Sequence, residues 1–336
     1  MTKRIEYLDF LKFFAIFSVL LGHSTEQLSA GTFWDHPLWS FIYSYHMPLF
    51  MFLSGFFFCH SLRRSFGEVA RKKLVQLGVP SLTAFALQCI IMLAAGVTAV
   101  ADLCELSFGG FMNSVWFLKC LLFCILIMHP LCRALRKDYL AAIIATIAIT
   151  FIPGAQIVNL NFMLPMFCLG MLCGAHQDFI EKRRKILLAA SAIVYGALLV
   201  FWSGRLTVYM VPTRVLTGSG LDWNNLGVTA YRLAIGVAGS MTFFLLAEPV
   251  WKFLGKCSIS KFLLSIGSAT LGIYLLQTFT LEMLVNSLGI YVPLPWSYAA
   301  APVLAVAELA LCYSLVRLVR RSRILSLLLL GERSGK

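Results

Sequence analysis

The chain has 336 residues, of which 60% are hydrophobic and only 13% are charged, and its mean hydropathy is +0.83. A soluble domain is nearer half apolar and a quarter charged, so the composition excludes an ordinary soluble protein and indicates a polytopic membrane protein. The net charge of +13 is explained first by membrane topology rather than by nucleic-acid binding, because Lys and Arg accumulate in the cytoplasmic loops of membrane proteins.

Apolar runs of roughly twenty residues predict the membrane spans. Ten spans are expected, the fifth and sixth being short for complete crossings, at residues 8–28, 39–59, 75–98, 114–132, 139–153, 161–175, 186–203, 227–247, 264–286 and 298–317. No small-residue cleavage site follows the first run, so we interpret it as a retained span rather than a secretory signal. The predicted fold class is all-α, a polytopic integral membrane helix bundle forming a single transmembrane domain over residues 1–336.

The charges between the spans alternate from one side of the predicted bundle to the other. Basic residues gather before the first span, after every second span and in the tail, and they include Lys3, Arg4, Arg63, Arg64, Arg71, Lys72, Lys73, Arg133, Arg136, Lys137, Lys182, Arg183, Arg184, Lys185, Lys252, Lys256, Lys261, Arg317, Arg320, Arg321, Arg323, Arg333 and Lys336. The intervening loops instead contain Glu26, Asp35, Asp102, Glu105 and Asp222. Under the positive-inside rule, this alternation predicts about ten spans with both termini cytoplasmic.

Ten cysteines raise the question of disulfides or a metal site. Most of them fall inside apolar runs, where Cys behaves as a small hydrophobic residue. The spacing of Cys120 and Cys124 is a weak metal signal, because no His or carboxylate stands beside this pair. We therefore predict neither a metal site nor a permanently bound cofactor.

The first span carries two ionisable residues, Lys12 and His23, in an otherwise apolar sequence. They are eleven positions apart and therefore lie on one stripe of the helix, ~16 Å apart along its axis. An ionisable residue inside a membrane span is costly and is a functional-site hypothesis by default. Glu26 follows His23 by three positions, so its carboxylate can orient the imidazole as a general base. The alternatives are a packing role for His23 and a solvated helix end at Glu26.

Depth along the predicted spans gathers several polar residues into one layer in the outer half of the bundle. This layer contains His23, Glu26, His46, Trp116, Lys119 and Gln277. Polar side chains in membrane spans usually face the bundle interior, so the layer predicts a shared site. Two of these residues have structural alternatives, because His46 precedes the helix-kinking Pro48 and Trp116 could belong to an interfacial aromatic belt.

The cytoplasmic loop between the second and third predicted spans carries five basic residues, among them Arg71, Lys72 and Lys73. One interpretation is topology and contact with lipid headgroups. A second interpretation is a binding site for a multiply phosphorylated cytosolic ligand, because Arg and Lys clusters bind phosphates.

These motifs resemble the membrane acyltransferase-3 superfamily, and the resemblance covers most of the chain. Its residues are Lys12 and His23 with ten positions between them, the run from His46 to Ser54-Gly55 (HMPLFMFLSG), Trp116-Phe-Leu, Leu169-Gly170 and Gly272-Ile-Tyr274-Leu-Leu-Gln277. Two positions depart from the family pattern. Gln76 stands where the second basic residue of a paired motif is usual, and Gln277 stands where many members have His.

The resemblance implies transfer of an acyl group, usually acetyl, from cytosolic acyl-CoA to a hydroxyl of a carbohydrate in a surface or exported glycan. The short chain looks like the stand-alone sugar O-acetylase branch, in the bacterial cytoplasmic (inner) membrane. The implied partners are acetyl-CoA as co-substrate, a glycan or lipid-linked sugar and the lipid bilayer, without nucleic acid.

The resemblance also implies roles for individual residues. His23 would be the general base or would carry the acyl group itself, and the pantetheine arm would enter along the Lys12 stripe. An oxyanion would need a donor, and Lys119, Trp116 and Gln277 are candidates by their depth in the predicted spans alone.

The competing class is a multi-span transporter or exporter of a glycan or a small polar solute. The sequence shows no inverted repeat and no matching pair of Gly/Pro-broken spans, which such folds often contain.

Overall fold

The computed structural model describes residues 5–29, 31, 33–94, 96, 108–152, 155–217 and 220–332. Within these ranges the chain is mostly helical and contains one short two-stranded sheet. The predicted features outside the described residues are Lys3, Arg4, Asp102, Glu105, Arg333, Lys336, residues 95, 97 and 98 of the third span and residue 153 of the fifth.

The helices follow one another with short connections. In chain order they are α1 (Glu6–Leu28), α2 (Pro37–Tyr43), α3 (His46–Phe58), α4 (Phe66–Lys73), α5 (Val79–Ala94), α6 (Phe108–Asn113), α7 (Trp116–Leu135), α8 (Asp138–Phe151), α9 (Leu160–Ala175), α10 (Gln177–Lys182), α11 (Arg184–Phe201), α12 (Trp223–Leu254), α13 (Ser260–Gly267), α14 (Thr270–Gln277), α15 (Leu294–Val319) and α16 (Arg323–Leu330). Two π-helical segments, Leu74–Gly78 and Thr278–Val285, join α4 to α5 and extend α14. The strands β1 (Leu216–Thr217) and β2 (Gly220–Leu221) pair antiparallel before α12.

Seven helical stretches in the described part of the chain are long and apolar enough to cross a membrane. They are Glu6–Leu28, Pro37–Arg63, Phe66–Ala94, Trp116–Leu135, Arg184–Phe201, Trp223–Leu254 and Leu294–Val319. An eighth would combine Ser260–Gly267 with Thr270–Val285, which meet at a 67° bend. The fifth and sixth predicted spans coincide with two shorter apolar helices, α8 and α9. The prediction of a polytopic helical membrane protein is confirmed, whereas the number ten and the cytoplasmic termini stay predictions.

α1 lies inside the bundle, and α11 lies at its edge. α1 packs against α3, α12, α13, α14 and α15, and its Ala15 and Ile16 have no exposed surface. Within α11, which is described throughout, only Tyr195 is buried, and apolar side chains such as Ile193 and Val200 are about three-quarters exposed. The exposed apolar surface of α11 suits contact with lipid. The buried position of α1 allows it to carry a site inside the bundle.

Contacts among helix ends and the connections between them lie at the end of the bundle that carries the basic clusters, which we call the basic end. The contacts there include Arg133 Nη1 to the Arg64 carbonyl oxygen at 3.0 Å and Trp251 Nε1 to Glu6 Oε2 at 3.2 Å. At the opposite end, called the far end, the Val292 N–H donates to the Leu28 carbonyl oxygen at 3.0 Å. α1 therefore runs from the basic end at Glu6 to the far end at Leu28, which places His23 in the far half.

α3 and α9 pack with their backbones in direct contact. An added Cβ at Gly55 would overlap the Phe167 carbonyl oxygen, and one at Gly170 would overlap the Phe52 carbonyl oxygen. Small residues that let two helix backbones approach this closely are typical of membrane helix interfaces. This contact fixes α3, which carries His46 at its far-end start.

The C-terminal helix α16 covers part of the basic end. It ends at Gly331, which has a left-handed φ of 63° and whose Cα faces the Gln76 backbone too closely for any side chain. Glu332 follows and accepts hydrogen bonds from Arg320 at 2.7 and 3.0 Å. This glycine cap therefore holds the tail beside the residues that follow the basic loop.

Candidate active site

The imidazole of His23 lies between two carboxylates. Nδ1 is 3.3 Å from Glu26 Oε2, and Nε2 is 3.6 Å from Glu282 Oε1. Glu26 is close because residues three apart share a face of an α-helix. Glu282 comes from the π-helical segment after α14. The side chains are largely covered, with 16% of His23 and 35% of Glu282 exposed.

Each carboxylate has a further hydrogen-bond donor. Tyr43 donates to Glu26 Oε2 at 3.1 Å, and Gln277 Nε2 donates to Glu282 Oε1 at 2.7 Å. Gln277 and Glu282 are five positions apart and would face different directions on an α-helix, whereas the π-helical i→i+5 pattern places them side by side. Supporting donors of this kind hold reactive side chains in one geometry.

His23, Glu26 and Glu282 line a cavity of about 280 Å³ at the far half of the bundle. His46, Trp116, Tyr209, Tyr274 and the backbone turn before α7 form its other walls. In His46, Nδ1 lies 2.9 Å from the Ile42 carbonyl oxygen, which can only accept, so this nitrogen donates and Nε2 stays free to accept. Of the predicted site residues, His23, Glu26, His46 and Trp116 therefore meet at one cavity.

Further cavities connect this site to both ends of the bundle. A cavity of about 230 Å³ shares Met47 and Tyr274 with the His23 cavity and reaches Lys73 and Gln76. One of about 640 Å³ shares Gln76 and is lined by Arg71 and Lys72 at the basic end. The predicted phosphate-binding residues thus lie along one path toward His23.

A fourth cavity extends the path in the other direction. It measures about 290 Å³, shares His46, Trp116 and Tyr209 with the His23 cavity and continues to Trp202 and Arg232. We call it the far cavity. Part of its wall is the long segment before α12, which contributes Thr207 and Tyr209.

Lys12 and Lys119 line none of these cavities. Lys12 Nζ lies 3.1 Å from Asp9 Oδ1 and 4.4 Å from the ring centroid of Phe57, a residue that does line the cavity below His23. Lys119 donates to the Ser114 carbonyl oxygen and lies over the Phe111 ring. Depth along a helix does not determine which way a side chain faces, so Lys12 and Lys119, like Gln277, lie outside the cavities that the other predicted site residues line.

The two departures from the family pattern have partners in the structure. Gln76 Oε1 accepts a hydrogen bond from Lys73 at 2.9 Å, and Gln277 supports Glu282 without lining the His23 cavity itself. Both glutamines therefore position a charged side chain that lines a cavity.

Comparisons with known proteins agree with this architecture. Residues 5–317 match the family model Acyl_transf_3, described as an acyltransferase domain. The chain belongs to the acyltransferase-3 family. The match covers nearly the whole acyltransferase, so the enzyme class and the membrane helix bundle follow from family membership together with the apolar helices.

Two curated relatives match the acyltransferase over four-fifths of its length. It is 29% identical over 287 residues to nodulation protein NolL of Sinorhizobium fredii (strain NBRC 101917 / NGR234), covering 80% of this chain and 76% of that protein. It is 24% identical over 285 residues to nodulation protein NolL of Mesorhizobium japonicum (strain LMG 29417 / CECT 9101 / MAFF 303099), covering 80% and 74%. No solved structure gives a significant match.

Sequence reasoning missed Glu282, Tyr43 and Tyr209 as residues of the site. Glu282 had a usable signal, because a carboxylate in an apolar span is a functional-site hypothesis by default. Tyr43 had none, since it stands in an aromatic-rich run, whereas Tyr209 lies in the long outer segment between the seventh and eighth predicted spans, whose length makes it a candidate to cap the outer face or contact a substrate. Their positions depend on how α2 and the segment before α12 fold over the bundle.

Proposed function

We propose that this acyltransferase moves an acetyl group from cytosolic acetyl-CoA to a hydroxyl of a carbohydrate that belongs to a surface or exported glycan. The observation that carries the proposal is the series of adjoining cavities from Arg71 and Lys72, through Lys73 and Gln76, to His23. A ligand with phosphates at one end and a thioester at the end of a long arm suits this path. We place the enzyme in the bacterial inner membrane with its basic end in the cytosol.

The basic end would hold the nucleotide portion of acetyl-CoA. Arg71 and Lys72 line the cavity with the largest volume of these four, and Lys73 lines the next one inward. Clustered cations bind phosphate groups through charge-assisted hydrogen bonds. The inner cavity is lined mostly by apolar side chains such as Phe50 and Leu121, which suits an uncharged arm better than the phosphates.

His23 would accept the proton of the acceptor hydroxyl. Glu26 Oε2, 3.3 Å from Nδ1, favours a proton on that nitrogen, so Nε2, 3.6 Å from Glu282 Oε1, would be the atom that takes the hydroxyl proton once it is unprotonated. The acceptor oxygen forms a bond to the acetyl carbon while the carbon–sulfur bond breaks. The proton passes from the hydroxyl through His23 to the departing CoA thiolate. In the alternative route, Nε2 itself attacks the thioester carbon and the CoA thiolate leaves; the acceptor oxygen then takes the acetyl group from Nε2, and the hydroxyl proton goes to the thiolate.

The carbohydrate acceptor would occupy the far side of His23. Tyr43, Trp116, Trp202 and Tyr209 offer aromatic surface in the far cavity, with the amide of Asn113 among them. Aromatic walls with a few placed polar groups are typical of small-molecule sites. The family resemblance to sugar O-acetylases supports the same class of acceptor.

The proposal is tested with the full-length enzyme in proteoliposomes. Acetyl-CoA labelled in the acetyl group is supplied on one side, with bacterial glycan fragments on the other. We expect label on the carbohydrate and one free CoA thiol for each acetyl transferred. Appearance of unmodified carbohydrate on the opposite side, with acetyl-CoA intact, would instead identify a transporter.

Neutralising Arg71 and Lys72 together, as Gln at both positions, is expected to raise the KM for acetyl-CoA about three- to tenfold, with little change in kcat. The variant should also lose part of the increase in KM that added salt causes, because screening acts on these charges. Steady-state kinetics at several NaCl concentrations measure both effects. The matched control replaces the exposed Lys182 and Lys185, which belong to another basic cluster, at the end of α10 and the start of α11. Equal behaviour of the two variants would leave the Arg71 cluster with a topological role only.

Glu26→Gln is expected to lower kcat about 10- to 100-fold, because the charged acceptor of the Nδ1 proton is lost. Glu282→Gln should lower it by less than about tenfold, because Glu282 lies beyond hydrogen-bond distance of Nε2. Single-turnover acetyl transfer at saturating acetyl-CoA compares the two variants. A larger loss in Glu282→Gln would make Glu282, rather than His23, the group that receives the proton.

A further inference from the structure

Arg232 on α12 is the most deeply buried cation that lines a described cavity, with 1% of the residue exposed. Its guanidinium donates to backbone carbonyl oxygens only. Nε donates to Leu206, and Nη2 donates to Thr207 at 2.8 Å and to Val211 at 2.6 Å. The remaining nitrogen, Nη1, is buried and has no hydrogen-bond partner.

The charge of Arg232 is uncompensated among the residues that the structure describes. No described carboxylate lies within ion-pair distance of it, whereas Arg184, Arg205 and Arg320 pair with Glu248, Asp35 and Glu332 respectively. A buried lysine can release its proton, but an arginine stays charged in proteins. Carbonyl dipoles satisfy hydrogen bonds without neutralising a full charge, and a buried unpaired charge is strongly unfavourable.

The position of Arg232 beside a cavity allows a bound ligand to provide the missing negative charge. It lines the far cavity, which adjoins the His23 cavity through His46, Trp116 and Tyr209. This cavity lies on the opposite side of His23 from the Arg71 and Lys72 cluster. A negatively charged ligand there would pair with Arg232 while its neighbouring hydroxyl faces His23.

We propose that the far cavity is the acceptor subsite and that Arg232 selects a carbohydrate carrying a negatively charged oxygen group. This inference rests on the proposed function for the identity of the reaction, and it adds the chemical class of the acceptor. The anionic group is either a carboxylate of an acidic sugar unit or a phosphate that links the sugar to a carrier. Both bind a guanidinium through the same charge-assisted hydrogen bonds.

The test measures binding in the absence of acetyl-CoA. The full-length protein is held in nanodiscs of zwitterionic phosphatidylcholine and titrated with methyl β-D-glucuronide, glucose 1-phosphate and the neutral methyl β-D-glucoside. Tryptophan fluorescence reports binding, because Trp116 and Trp202 line the far cavity. We expect at least one anionic probe to bind about tenfold or more tightly than the neutral one. The stronger of the two identifies a carboxylate or a phosphate as the recognised group.

Substitution of Arg232 distinguishes anion binding at this residue from a general attraction of anions to the basic protein. Arg232→Gln should remove the preference for the anionic probe, and Arg232→Lys should retain part of it. Arg214→Gln is the matched control, because Arg214 is exposed in the segment that precedes α12 and does not line the far cavity. Equal affinity of wild type for all three probes, or an intact preference in a folded Arg232→Gln variant, would overturn the inference. If Arg232→Gln does not fold, the comparison of the three probes with wild type and with Arg232→Lys still tests the preference for anions.

This experiment separates the two proposals, since no acetyl transfer is needed for binding. An anion preference without acetyl transfer would contradict the proposed function and keep the Arg232 site. Acetyl transfer to neutral carbohydrate without any anion preference would contradict the acceptor class alone.

Discussion

His23→Ala is expected to lower the rate of acetyl transfer by about 10²–10⁴-fold, the usual contribution of a general acid–base residue. His23 lines the cavity that joins the path from the basic end to the far cavity, and Glu26 orients its ring. Removing the imidazole leaves both substrate cavities intact, so KM for acetyl-CoA should change little. The measurement is transfer of labelled acetyl to glycan in membranes containing equal amounts of each variant.

The matched control for this variant is His176→Asn. His176 is an exposed histidine after α9, outside all the described cavities, so its replacement should leave the rate unchanged. An unchanged acylation rate in His23→Ala would contradict the assignment of His23 as general base or acyl carrier. Rapid denaturation of the wild type at neutral pH during turnover then distinguishes the two routes, because only an acyl carrier leaves labelled acetyl on the protein.

Gly170→Ala is expected to be the most destabilising single-methyl change in the helix bundle, costing about 3 kcal/mol or more. The added methyl would overlap the Phe52 carbonyl oxygen, and a backbone atom cannot move aside as a flexible side chain can. α3 and α9 would move apart, and His46, the first residue of α3, would move away from the His23 cavity. Thermal unfolding of the detergent-solubilised protein measures the loss.

Gly196→Ala is the matched control within another helix. No atom lies within 4 Å of an added Cβ at Gly196, and the position is in the interior of α11. Alanine there should stabilise the helix by about 0.5–1 kcal/mol, because glycine loses more backbone freedom on folding. Similar melting temperatures for the Gly170 and Gly196 variants would show that close backbone contact does not hold α3 against α9.

Local patterns were enough to predict the parts of the site that lie on one helix. His23 and Glu26 are three positions apart on α1, and helix geometry alone makes them neighbours. The apolar runs likewise predicted the membrane helices, since the length of a span follows from the thickness of the bilayer. The two short helices α8 and α9 also begin and end close to the predicted limits.

The sequence by itself therefore determined the membrane class, the approximate positions of the apolar helices and the adjacency of His23 and Glu26, because each depends on neighbouring residues along the chain. Only the tertiary structure decided that a π-helical segment turns Glu282 toward His23 and that Lys119 faces Ser114 instead. It also decided that Arg232 borders a cavity adjoining that of His23. These contacts join residues far apart in the chain, and their side-chain directions depend on how whole helices rotate and bend as they pack.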